Sequence, residues 1–303
     1  MATITTGSFA KALYPGVNAW YGKEYNDWKT EYTDLFTSYK SSKNYEEDMG
    51  ITSLGLASVK PEGSPITYDS ERQGFVTRYT NYVVANGMII TREMMEDDQY
   101  QVVAPRRSRG LARSMRQTKE THGANVYNRA FNNTYTGGDG LEMCSTAHVN
   151  VAGGTWQNEL TTAADLSEAA LEQACIDIGK WTDDRGLKAA VRPVSLHIPV
   201  DLEFEAERIL MTPYRVSTAD NDLNALYSMG KFPKGHHVNH YLTDVDAWFI
   251  RTDCPDGLKH FQRRALQFTV DNDFDTENAK FKATERYVFG WTDPRGVYGS
   301  PGA

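Results

Sequence analysis

No stretch of this 303-residue chain approaches the roughly 18 consecutive apolar residues that a membrane-spanning helix needs. Its first ten residues, MATITTGSFA, have neither a basic start nor an apolar h-region, so no secretory signal is expected. Cysteine is scarce. Cys144, Cys175 and Cys254 make no CxxC pair and no even set, which argues against a disulfide framework and for reduced, buried thiols in a cytoplasmic compartment. Internal repeats and low-complexity tracts are absent. With 40% hydrophobic and 24% charged residues, the composition excludes collagen-like and disordered chains.

Complete signatures of chemistry are missing too. Cys144 and His148 stand four apart in Cys-Ser-Thr-Ala-His, but no cysteine-hydrolase motif surrounds them, so core thiol and core histidine are the plainer reading. His236, His237 and His240 lack a helical HExxH frame and a nearby cysteine, and read as a solvated loop. The run Asp271–Glu277 opens like a calcium loop, yet its sixth position is Thr276 where glycine is required and its twelfth is Lys282 where glutamate is required. An acidic turn is expected there instead. The glycines of 137–140 follow a helix rather than precede one, and no GK[ST] comes after them. No enzyme, cofactor or metal site is expected.

What is present is unevenly placed charge. The net charge is −8, which is not that of a nucleic-acid binder. Yet Arg106, Arg107, Arg109, Arg113, Arg116 and Lys119 fall within 15 residues that hold no acid. They form either a solvated, salt-bridged face or an anion-binding one.

Periodicity organises the chain as α+β, with no regular βαβ order. Aromatics crowd residues 1–48, and Tyr25, Trp28, Tyr32, Leu35 and Tyr39 predict a helix over 23–39 that packs on a core or on a neighbour. Two extended runs, 51–59 and 66–84, flank a loop tip at Lys60, Pro61, Glu62, Gly63, Ser64 and Pro65, and Asn86-Gly87 predicts a further turn. The hairpin's faces are too weakly apolar for it to stand alone.

A short helix over 93–103 is expected to stop at Pro105, which starts a long one reaching about Asn133. Its expected buried stripe is Leu111, Met115, Thr118, His122, Val126 and Ala130. Helices follow over 166–181, capped by Thr161 or Thr162 with Leu166, Ala170, Ala174 or Cys175, and Ile178 inward, and over 202–212. Strands are predicted over 191–199, 239–249, 260–271 and 281–291, the last with Phe281, Ala283, Tyr287 and Phe289 on packed faces.

Four segments carry a resemblance: Leu13–Gly22, Ile89–Asp98, Leu141–His148 with Gly153–Asn158 and the helix after it, and Ala265–Thr276 with Arg286–Trp291. In this order and spacing the chain resembles the Mu-like head subunits among tailed-bacteriophage major capsid proteins. The resemblance implies the Hong Kong 97-type capsid fold. It maps 1–48 to an N-terminal arm, 49–92 to an extended hairpin (E-loop), 93–137 to a peripheral domain with its spine helix, 138–257 to an axial domain, and 258–303 to returning strands and the tail.

It further implies hexamers and pentamers in an icosahedral shell, an E-loop tip and an arm (Trp20, Tyr21, Tyr25, Trp28) that contact neighbouring subunits, and spine cations facing packaged DNA. Expected partners are a separate scaffolding protein, a portal and decoration proteins, with assembly in the host cytoplasm and residence in the virion. Lys60 sits at the hairpin tip without the surrounding motif of a covalent cross-link, so none is expected. A cellular encapsulin-type shell is the alternative on the same fold.

Overall fold

The computed structural model describes residue 21 and residues 29–93, 100–215 and 222–303, with backbone alone for 100–105. The helices are α1 (Tyr32–Leu35), α2 (Tyr100–Asn128), α3 (Glu168–Lys180), α4 (Glu203–Met211) and α5 (Ala225–Met229). The strands are β1 (Thr37–Lys40), β2 (Tyr45–Ile51), β3 (Gln73–Thr80), β4 (Tyr82–Ile90), β5 (His148–Val149), β6 (Thr155–Trp156), β7 (Pro193–Ile198), β8 (His236–Val238), β9 (Trp248–Thr252), β10 (Leu258–Asn272), β11 (Ala279–Trp291) and β12 (Val297–Ser300).

Two four-stranded sheets make two lobes. The first has order β1-β10-β11-β4, with β1 parallel to β10 and the other pairs antiparallel. Along β11, Ala279, Phe281, Ala283 and Tyr287 are buried while Lys280 and Lys282 are exposed, the two-residue alternation of a sheet with one covered face. The long helix α2 covers that face, about 43 Å of it at 1.5 Å per residue. Its buried line runs through Leu111, Ala112, Met115, Ala124 and Tyr127. At Gly123 a Cβ would lie 3.2 Å from the Cβ of Tyr32, so glycine lets α1 lie close against the helix.

The second lobe has order β12-β9-β7-β8. Leu171, Ala174 and Ile178 of α3 and Ala206, Ile209 and Leu210 of α4 pack with Leu196, Ile198, Trp248, Ile250 and Tyr298 of its strands.

Several expected elements come out differently. Only 32–35 of the predicted 23–39 helix is helical among the described residues; Phe36 turns extended and Tyr39 lies in β1, because pairing with β10 takes over the backbone. Residues 22–28 of that helix lie outside the described residues. The hairpin's ladder is β2 on β3, so it starts earlier than predicted and stops at Ile51. Asn86-Gly87 is no turn: both sit in β4 opposite Ala283 and Lys282, and a Cβ on Gly87 would come 3.0 Å from the Phe281 carbonyl. Glycine there answers a close approach, not a positive φ.

Of the short 93–103 helix, 94–99 lie outside the described residues. Pro105 does not divide two helices but lies inside α2, near its start, where one missing N–H costs one intrahelical bond. The helix also ends at Asn128, earlier than predicted. Ser167 caps α3, its Oγ accepting the Ala170 N–H at 3.2 Å, in place of Thr161 or Thr162. The strand predicted over 239–249 is split, with β8 ending before it and β9 starting at Trp248. His236 and His237 are therefore in a half-buried strand, not a solvated loop. The returning chain crosses back as well: β12 joins β9 in the second lobe rather than staying with β10 and β11.

Candidate assembly surfaces

The β2–β3 ribbon is rooted in polar contacts and ends in exposed apolar ones. At its root the Lys259 ammonium meets Asp48 Oδ2 at 2.6 Å and Asp256 Oδ1 at 2.8 Å. Thr292 Oγ1 donates to the same Asp48 oxygen at 2.8 Å and lies 2.6 Å from the buried Tyr79 hydroxyl. Gly290 admits the Tyr79 ring, which a Cβ would meet at 2.8 Å.

Past Ile51 the loop is tied where Thr52 meets Arg72, and again farther out at Asp69. Asp69 Oδ2 accepts from the Gly55 N–H at 2.7 Å and from Arg185 at 2.5 Å, and these donors hold its carboxyl down at about 2. Elsewhere it is open: Leu56 is 85% exposed, Val59 93% and Tyr68 91%. The predicted tip is where the sequence placed it, with Ser64 N–H donating to the Pro61 carbonyl at 3.2 Å and Gly63 at φ 78°. Lys60, Pro61, Glu62, Gly63 and Pro65 are exposed and Ser64 is half-buried.

The six cations of α2 divide into two groups. Arg106, Arg107, Arg109 and Arg113 are exposed, with the Arg107 guanidinium also donating to the Ile89 carbonyl at 3.0 Å. Arg116 and Lys119 are buried, which corrects the expectation that they line an anion-binding face. Lys119 lies 3.5 Å from Glu285, each only 2% exposed, and 5.1 and 5.2 Å from the Tyr32 and Tyr287 ring centres. Arg116 lies 3.4 Å from Glu120, whose carboxylate accepts the Tyr32 N–H at 2.8 Å and the Glu31 N–H at 3.3 Å. Burial pushes Lys119 down, against Glu285, and pushes Glu120 up, against those N–H groups and Arg116. The buried cations thus secure α1 and the sheet to the spine.

Of the arm residues, Tyr21 is buried in this same chain, stacked 4.7 Å from Phe268 beside Leu111 and Met115. That corrects its expected role as an inter-subunit contact. Trp20, Tyr25 and Trp28 lie outside the described residues. Residues 31–37 are held in place as well: Arg251 donates to the Asp34 carbonyl at 2.7 Å and to Thr37 Oγ1 at 2.9 Å, and His240 Nδ1 lies 2.8 Å from Glu31.

Cys144 is fully buried, and burial pushes its thiol well up, the reverse of what a nucleophile needs. His148 is tied to Asp139 at 2.6 Å and stacked on Trp156. Among the described residues no group of His, Cys, Asp and Glu is arranged to hold a metal ion. The acidic 273–277 segment is the β10–β11 turn, closed by Lys280 on Asp273 at 2.7 Å.

The profile of a family described as phage capsid protein matches residues 77–300. No curated protein matches the chain in sequence. Among solved structures, the capsid of a native GTA particle aligns with TM-score 0.56 at 9% identity, over 89% of this chain and 90% of that one. A virus-like particle from Pyrococcus furiosus aligns at 0.53 and 7% identity, over 95% and 99%. The procapsid of bacteriophage JBD30 aligns at 0.51 and 13% identity, over 95% and 75%.

Proposed function

The chain belongs to the phage capsid protein family, as a major capsid protein of the Hong Kong 97-type fold, and we propose that its copies close as hexamers and pentamers around double-stranded phage DNA. The observation that carries the assembly reading is the ribbon, whose exposed apolar loop has no covering element within the described chain. Identical subunits that meet through unlike faces build rings and shells, and a projecting ribbon with no partner in its own fold supplies one such face.

Arg106, Arg107, Arg109 and Arg113 then serve packaged DNA or an internal scaffold through sequence-independent phosphate or carboxylate contacts. A separate scaffolding protein and a portal complete the particle, which is built in the host cytoplasm. The five-part division of the chain into arm, E-loop, spine, axial domain and return strands remains the working map. Two changes make it fit the lobes: residues 32–40 join the first lobe and β12 joins the second.

Electron microscopy and sedimentation velocity of the purified full-length chain test the reading. Rings or closed shells are the expected result, and a monomer under every assembly condition, including co-expression with the neighbouring phage genes, would refute it. Particles formed in cells that hold an enzyme in place of nucleic acid would favour the encapsulin-type alternative. Phage-family membership over 77–300 weighs against that outcome.

A further inference from the structure

The second lobe displays an aromatic side chain that its own fold leaves out. Phe204, in the first turn of α4, is 72% exposed, whereas Ala206, Ile209 and Leu210 of the same helix are buried. Asp201, Glu203 and Glu207 beside it are exposed and Glu205 is half-buried. Arg208 offsets only part of this charge, pairing with Glu205 at 3.0 Å. The tip is an aromatic anchor set among acids.

The same lobe carries a complement. A cleft of about 500 Å³ is lined by Val191, Pro193, Met229 and Pro233 together with Arg192 and Lys231. Asp253 is the acid among its lining residues, and its carboxylate already accepts the Arg192 backbone N–H at 2.7 Å. Met229 is 65% exposed at its edge.

The two features belong to opposite ends of one strand. Pro193, the first residue of β7, lines the cleft; Ile198, the last, leads through Pro199 and the 200–202 turn into α4. Six residues of strand span roughly 17 Å. Anchor and cleft do not meet within one copy, and their charges are opposite.

We propose that the Phe204 tip of one copy docks in the Arg192/Lys231 cleft of the next, a head-to-tail contact between second lobes that closes the rings. This rests on the capsid reading and deepens it by naming two mating faces. Unlike faces joined by a fixed rotation give closed rings. A buried aromatic anchor surrounded by complementary charge is the arrangement in which a few residues dominate an interface.

Charge reversal tests the contact on the full-length chain, with far-UV circular dichroism and melting temperature as folding checks. One variant carries Asp201→Lys and Glu203→Lys, the other Arg192→Glu and Lys231→Glu. Each alone should fail to form rings, since like charges then face each other at every contact. All four changes in one chain should restore both ring sizes. An equimolar mixture of the two variants must alternate, so it should restore six-membered rings and leave five-membered ones absent.

Single variants that assemble like the wild type, while the wild type forms shells, would overturn the contact and leave the capsid reading standing. A wild-type chain that never forms rings or shells would overturn both. Should the reversed chains misfold, Phe204→Ser decides. It should raise the concentration needed for assembly by about tenfold, a loss of roughly 1.4 kcal/mol, and an unchanged threshold would overturn the proposal.

Discussion

A lysine and a glutamate distant in sequence, Lys119 and Glu285, face each other at 3.5 Å where water does not reach. Removing one partner takes a counter-charge away from the other in a buried site, which costs roughly 3–5 kcal/mol. Lys119→Met should therefore lower the urea midpoint markedly, while Lys119→Met with Glu285→Leu should recover most of the loss. Equal damage from the single and the double change would mean the charges stabilise the fold by their pairing rather than merely tolerate it.

His260 offers a second test at this scale. Its ring is buried, stacked 4.5 Å from Phe289 with Nδ1 3.0 Å from Ser38 Oγ, and burial together with nearby Lys119 holds its pKa down at about 3. Below about 6.5 the unfolded chain takes up a proton here that the folded chain refuses. Stability from this site is therefore complete above that pH and is lost as pH falls toward 3, on the order of 2 kcal/mol by pH 5. Unfolding titrations of wild type and His260→Gln should show a shallower acid slope in the variant; identical slopes would show the histidine does not titrate this way. Neither site was legible in the sequence. The Arg106–Lys119 run shows cations but not which side each takes, and Glu285 gives no local sign that it faces Lys119.

Among the elements, the ribbon separates folding from assembly. No residue between 53 and 71 is buried, whereas Asp48, Thr52 and Tyr79 at the root are engaged. Replacing 53–71 with a short Asn-Gly turn should leave the melting temperature of the subunit within a few degrees of wild type yet abolish shells in electron micrographs. A subunit that no longer folds would show that the loop supports its own chain. That a weakly apolar hairpin exists here was legible from composition and turn residues. Where its ladder ends was not, because Gly74 packs backbone to backbone against Gly50 and the register is decided by that contact, not by propensity. The same holds for Gly87, which reads as a turn in sequence and serves as the point where β4 closes on β11.

At the scale of the whole molecule, a net charge of −8 coexists with the exposed Arg106, Arg107, Arg109 and Arg113, which we propose turn toward packaged DNA. Reversing Arg106, Arg109 and Arg113 to glutamate should leave shells intact and reduce the DNA they retain, with retention in the wild type falling as salt rises. Normal packaging by such particles, measured as nucleic acid per shell, would overturn the DNA-facing role, whereas loss of the shells themselves would place these arginines at subunit contacts.

By itself the sequence determined the α+β class, the long helix, the strands around 260–271 and 281–291 with the packed face of the second, the hairpin's loop tip and the family, since each rests on local pattern or on motif order. Only the tertiary structure decided that Arg116, Lys119 and Tyr21 turn inward, that residues 32–40 dock on their own chain, and that β12 returns to the second lobe. Those outcomes depend on which distant surface lies across from each residue, and a periodicity read along the chain holds no information about what lies across from it.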